Sequence, residues 1–135
     1  MCHCLNISAT LCLNGKKVLL VDIDPQGNTT KGVGIDKDMV VNSVSDLLLN
    51  KKEVRDCMIP TQFDNLYLIP ATLELASVDF DLAEFSKILI NKVPPYNGFN
   101  DADGFMYFFK SYSAQCNPSQ RYTCFIFTDK PDNDY

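Results

Sequence analysis

A chain of 135 residues, 46% apolar and 21% charged, is long enough for one domain, or part of one, with a buried core. Its net charge of −5 and pI near 4.6 argue against a surface built to neutralise phosphates, so direct DNA binding is not expected. The start, Met1-Cys2-His3-Cys4, has no basic n-region, and no apolar stretch approaches the roughly 18 to 20 residues that cross a bilayer, so the expectation is a soluble, cytoplasmic chain without membrane contact.

In chain order, residues Asn6 to Leu13 read as the tail of a helix, and Asn14-Gly15 as its stop. Lys16-Lys17 then lead into Val18-Leu19-Leu20-Val21-Asp22-Ile23, a continuous apolar run of the kind found in a parallel strand buried on both faces. Asp24-Pro25-Gln26-Gly27-Asn28-Thr29-Thr30 has no periodicity and is rich in turn formers. It reads as a loop at the carboxyl end of that strand, where open α/β sheets place ligands. Ser43 is placed to cap a short helix through Leu49, and Lys51 to Met58 is a second helical stretch. Leu66-Tyr67-Leu68-Ile69 reads as a strand ending at Pro70, parallel to and neighbouring the first. Thr72 is then expected to cap one helix with Leu73, Ala76, Phe80 and Ala83 on a stripe, stopped by Pro94-Pro95.

Composition changes at that proline pair, after which eleven of the fifteen aromatic residues lie, so residues 94–135 are expected to be distinct from what precedes them. Tyr122 to Phe127 reads as a strand. Phe105 to Tyr112 fits either a strand or a buried helix, since a short apolar run does not distinguish them. The six cysteines have irregular spacings and no signal peptide, so free thiols are expected. Cys2-His3-Cys4 lacks the second ligand pair a tetrahedral zinc site wants, and His3 is the only histidine, which leaves no basis for a metal centre there or for a Ser/His/Asp triad.

The segment from Val18 through Asp22-Ile23-Asp24-Pro25-Gln26-Gly27-Asn28-Thr29-Thr30 closely resembles the first switch region of ParA/Soj-type partition ATPases, the deviant-Walker class that includes MinD. Asn6 to Leu11 resembles the helix that follows the family's P-loop. Gly32-Val33-Gly34-Ile35-Asp36-Lys37 resembles the continuation of the switch, and Asn65 to Ala76 the next strand and helix start; Pro25-Gln26-Gly27-Asn28 points to the ParA/Soj branch. The resemblance covers about residues 5–76. It implies an α/β, partial P-loop NTPase-like (Rossmann-like) fold with parallel strands, in which residues 1–93 form part of a ParA-like, AAA-type nucleotide-binding domain and 94–135 an aromatic-rich tail of unknown origin.

Where the chain turns out of a strand, two carboxylates two residues apart can project to different sides of the turn, so that one can face a ligand while the other anchors the loop. By resemblance, Asp24 is the candidate catalytic residue that positions the attacking water, and Asp22 belongs to the magnesium environment. Gln26, Gly27, Asn28, Thr29 and Thr30 are the candidate cofactor-binding residues, responding to the γ-phosphate of ATP. The family's K-G-G-V-G-K-T-T loop, whose amides and lysines hold the phosphates, has Met1-Cys2-His3-Cys4 in its place. Gly27-x₄-Gly32 has Walker A spacing, but Val33-Gly34 stand where Lys and Ser/Thr are required. Lys31-Gly32-Val33-Gly34 reads as a glycine-rich turn. Tyr122 to Asp129-Lys130-Pro131 faintly resembles the family's magnesium-site strand, and a chance apolar strand is the preferred reading. Asp101-x-Asp103-Gly104 fails as a calcium loop at Phe99 and Lys110 and reads as a solvated turn.

The expectation for function is a ParA/Soj-family fragment related to ATP-driven chromosome or plasmid segregation. ATP and Mg²⁺ are implied by the family, though hydrolysis by this chain alone is not expected without the Walker A lysines. A ParA-like dimer partner or a ParB-like stimulator is implied by the same resemblance. Two alternatives stand beside it: a non-catalytic interaction module binding a full-length relative, and an altered gene model whose true start lies upstream.

Overall fold

The computed structural model describes residues 3–79, 82–93, 105–111 and 122–128. Helix α1 (His3–Leu13) ends where the sequence placed its stop. Gly15 takes a left-handed φ of 81° and donates its N–H to Cys12, while the Lys16 N–H reaches back to Leu11 at 3.0 Å, so two of the carbonyls left open at the helix end are satisfied. Strand β1 (Val18–Asp22) follows directly. After the loop come α2 (Asn28–Gly32), a 3₁₀ turn (Lys37–Met39), α3 (Val44–Leu48), α4 (Val54–Cys57), β2 (Ile59–Pro60), β3 (Leu66–Ile69), a second 3₁₀ turn (Leu73–Ser77), α5 (Leu82–Lys92), β4 (Phe105–Ser111) and β5 (Tyr122–Thr128).

The five strands form one sheet in the order β2-β3-β1-β5-β4. β1 and β3 are parallel, with Val18 opposite Leu66 and Val21 opposite Ile69, as expected of two short apolar runs joined by helical connections. Alternation along β1 divides the core between the two faces of the sheet. Leu19 and Val21 join Leu47, Phe85 and Leu89 on one side, and Val18 and Leu20 join Leu5, Leu66 and Ile126 on the other. With both faces covered, every residue of β1 is buried, which is why the strand reads as a continuous apolar run. Truncating a leucine such as Leu19, with no exposed surface, costs about 2–5 kcal/mol.

Several expectations are corrected. The single helix from Thr72 is two elements. The 3₁₀ turn closes on Val78 in extended backbone, so the helical register restarts at Leu82. Leu73 is 63% exposed, Ala76 and Ala83 are also exposed, Phe80 lies outside the described residues, and the buried stripe among those described is Phe85, Leu89 and Val93. Of Lys51 to Met58 only Val54–Cys57 is helical, because the Lys51 and Lys52 amides close the end of α3 on the Asp46 carbonyl at 2.8 and 3.3 Å. Ser43 does start α3, its N–H held by the Asp46 carboxylate at 2.9 Å. Phe105–Ser111 is a strand, which settles the choice left open by its composition.

β5 runs antiparallel to β1, with Asp22 opposite Cys124 and Val18 opposite Thr128. Its carboxyl end therefore lies beside the far end of β1 from Asp22, and the faint resemblance to a magnesium-site strand has no geometric support. Cys12 and Cys57 are free, whereas Cys124 is disulfide-bonded, contrary to the expectation of free thiols throughout. No helix among the described residues is long and apolar enough to cross a membrane. The Pro94-Pro95 stop, Met1-Cys2, the Asp101 to Gly104 turn, and Asp129 with Pro131 lie outside the described residues.

Candidate functional site at the carboxyl end of the first strand

Backbone direction changes sharply where β1 ends, and the two aspartates provide the hydrogen bonds that hold the change. Asp22 is the last strand residue, and its side chain has no exposed surface. One carboxylate oxygen accepts the Asp24 N–H at 3.0 Å. The other accepts the Thr30 N–H at 3.0 Å and the Thr30 hydroxyl at 2.7 Å. The same hydroxyl oxygen accepts the Ala71 N–H at 3.2 Å, just past the end of β3. Asp22, Thr30 and Ala71 thus form a buried chain of bonds tying the loop to the ends of both parallel strands. Burial pushes the Asp22 carboxyl up to about 6, against the opposing pull of the Thr30 hydroxyl and the Asp24 and Thr30 amides; the nearby charge of Asp24 adds a smaller upward push.

Asp24, 3% exposed, organises the second half of the loop. Its Oδ1 accepts the Gln26 N–H at 3.0 Å. Its Oδ2 accepts the Asn28 N–H at 3.2 Å and the Asn28 side-chain amide at 2.6 Å, and its carbonyl accepts the Gly27 N–H at 2.8 Å. These bonds turn the chain into α2, so the stretch expected to be loop through Thr30 is helical from Asn28 onward. The sequence argument assigned one carboxylate to a ligand and the other to the loop; both are engaged with the loop's own amides. Since an ionised carboxylate offers about four acceptor positions, the three bonds to Asp24 leave one on Oδ1.

Gly27 sits at the N-cap of α2 with φ of 66°. A Cβ there would lie 2.7 Å from Cδ of Lys37 and 3.2 Å from the Ala71 carbonyl, so both the conformation and the space require glycine. Lys37 crosses above it, and its ammonium donates to the Gln26 carbonyl at 2.8 Å and the Pro25 carbonyl at 3.4 Å. Lys37 belongs to the segment that resembles the switch continuation, yet its contact with Pro25 and Gln26 was not read from the sequence. The only signal was a lysine following Asp36, which caps the 3₁₀ turn by accepting the Asp38 N–H at 3.0 Å.

The candidate residues are therefore brought together in one loop, in three environments: Gln26 exposed, Asn28 half-buried, and Thr29 and Thr30 buried. The amides of Gln26, Asn28 and Thr30 are taken up by the aspartates, Asp22 is closed to solvent, and no three His, Cys, Asp or Glu side chains among the described residues converge on a point.

Residues 2–93 match the model of a family described as an AAA domain. The chain is 48% identical over 77 residues to the sporulation initiation inhibitor protein Soj of Bacillus subtilis, covering 57% of this chain and 30% of that protein. It is 35% identical over 78 residues to the chromosome partitioning protein ParA of Myxococcus xanthus, covering 58% and 28%. The chain thus spans about 30% of the length of these relatives. Among solved structures, it is similar to cobyrinic acid a,c-diamide synthase of Mycobacterium smegmatis with bound ATP analog and magnesium, at a TM-score of 0.62 and 30% identity over 70% of this chain and 40% of that one. It is also similar to apo McdA of Cyanothece, at a TM-score of 0.55 and 25% identity over 65% and 36%.

Proposed function

The chain belongs to the AAA domain family in its ParA/Soj-type form, and on that premise we propose that residues 1–93 are the switch-bearing part of a partition ATPase domain serving ATP-driven chromosome or plasmid segregation in the cytoplasm. The observation that carries this reading is the loop itself. Asp22 and Asp24 are held at the carboxyl end of a parallel strand by named amides, in the position where such sheets bind ligands.

In the complete domain, Asp24 positions the attacking water through its remaining acceptor, and Gln26 to Thr30 respond to the nucleotide. Asp22 contributes to the magnesium environment through the loop it anchors. Because positioning and electrostatics carry most of phosphoryl-transfer catalysis, a loop fixed by its own hydrogen bonds is suited to the task. A ParA-like dimer partner and a ParB-like stimulator are the partners this reading implies.

The chain alone is expected neither to hold nor to hydrolyse ATP, since the triphosphate's charge finds no compensating donors in the loop as it is bonded. Calorimetric titration of the chain with Mg-ATP tests this: no measurable binding is expected, and micromolar affinity would contradict it. A second reading, a non-catalytic module that binds a full-length relative, is favoured by one observation, the antiparallel seating of β5 along β1. A pull-down of the relative that fails when residues 94–135 are deleted from a folded chain would support it.

A further inference from the structure

We propose that β4 is a docking edge for a second copy of this chain, the two β4 strands pairing antiparallel about a two-fold axis at Phe108. The five-stranded sheet has two outer strands, and they are unlike each other. β2 has only two residues and ends on Pro60, which has no N–H to give, so that edge cannot extend the ladder. β4 has seven residues and, among the described residues, pairs with β5 alone. Among the described residues no strand pairs with its other side, along which backbone donors and acceptors alternate. Edges that avoid association carry prolines, several charges or very short strands. Phe105-Met106-Tyr107-Phe108-Phe109-Lys110-Ser111 has no proline, no glycine and one charge.

The choice of a second copy rests on how this strand pairs with itself. With Phe108 opposite its counterpart, Phe105 faces Ser111, Met106 faces Lys110 and Tyr107 faces Phe109, so all seven residues find partners. Three central pairs are aromatic on aromatic, among the more favourable cross-strand combinations. The lone charge falls opposite Met106, and the two lysines lie four residues apart along the ladder. At about 3.4 Å per residue that is roughly 13 Å, beyond the screening length of about 8 Å at physiological ionic strength. The strand therefore pairs with its own copy without opposing like charges. Association is further expected to strengthen with salt, because each whole chain carries −5. This inference does not depend on nucleotide chemistry and stands apart from the proposed function.

Sedimentation velocity over a roughly hundredfold concentration range, together with amide hydrogen exchange, tests it. The expected result is a monomer–dimer equilibrium in which every second amide of β4 gains protection as dimer forms, because in an antiparallel pair only alternate residues direct their N–H outward. Met106→Pro and Tyr107→Pro, made separately, discriminate further. One removes an outward N–H and is expected to weaken dimerisation roughly tenfold or more while the chain stays folded by circular dichroism; the other removes a bond to β5. If both variants unfold, the exchange pattern of the parent chain decides. A monomer at all concentrations overturns the proposal. So does β4 protection independent of concentration, which would mean that the chain's own residues cover the edge, or a dimer whose formation leaves β4 exchange unchanged.

Discussion

Replacing Thr30 by valine isolates the buried chain of hydrogen bonds from Asp22 through Thr30 to Ala71. Valine matches threonine in shape, so the change removes the hydroxyl with little disturbance of packing. Two interactions go: the 2.7 Å bond to the Asp22 carboxylate and the 3.2 Å bond that satisfies the Ala71 N–H. The first, to a charged acceptor, contributes about 2 kcal/mol. The orphaned amide costs about 2 more, and the added methyl group returns about 1, for a net loss of about 3 kcal/mol. That is a large fraction of the 5–15 kcal/mol typical of a domain.

The loss depends on pH in a direction the structure fixes. Asp22 has its folded pKa raised to about 6, above the ordinary 3.8. Its contribution to stability is therefore fully present below the unfolded pKa and is lost as pH rises through the folded one, by up to about 3 kcal/mol. Thr30 lowers that folded pKa, so valine pushes it higher and extends the decline. Urea unfolding under oxidising conditions at about pH 5 and about pH 8 should give a larger destabilisation at the higher pH, where the bond is to a carboxylate. Thr30→Ser, which keeps the hydroxyl, should recover most of the loss. A valine variant within about 0.5 kcal/mol of the parent would refute the bond chain as a stabilising element, and equal destabilisation at both pH values would refute its coupling to the ionisation of Asp22.

Gly27→Ala should destabilise by roughly 1–2 kcal/mol, because an L-residue is strained at φ of 66° and its Cβ would displace Lys37; thermal unfolding reads this directly. Lys37→Met, which keeps most of the aliphatic stem and removes the ammonium, should cost only about 1 kcal/mol overall but should speed amide exchange selectively at Gly27 and Asn28. Uniform acceleration across the sheet would show that Lys37 holds the fold in general and not this loop.

How much was legible depended on whether the determining contacts are local. Gly15 announced the end of α1 because the left-handed turn is a property of one residue and the helix behind it. Val18 to Val21 announced a strand buried on both faces because no polar residue interrupts it before Asp22 at its end. The break between Ser77 and Leu82 was hidden, since apolar residues continue at nearly helical spacing through it and only packing shows that Phe85, Leu89 and Val93 form the inner stripe. The direction of β5 was hidden for a different reason: a seven-residue apolar strand carries no local mark of which way it runs against its neighbour. In the site, the residues were legible and their orientation was not. In a continuing strand residues i and i+2 share a face, but the backbone leaves strand geometry at Asp22, so no strand rule fixes where Asp22 and Asp24 point, and both carboxylates turn onto the loop's amides. Lys37 reaches the carbonyls of residues eleven and twelve positions earlier, a contact that exists only once the loop has folded.

The central claim is that this loop has the chemistry of a partition-ATPase switch and not only its sequence. The most direct test is a chimera in which residues 18–76 replace the matching segment of Bacillus subtilis Soj, so that the relative provides the phosphate-binding loop and the remainder of the domain. The chimera should hydrolyse ATP slowly in a magnesium-dependent reaction. Asp24→Ala in that chimera should lower turnover by roughly a hundredfold or more while leaving ATP binding largely intact, because water positioning acts mainly in the transition state. An Asp24→Ala chimera that is folded, binds ATP and turns over at the parent rate would contradict the claim and leave the aspartate pair with a structural role alone.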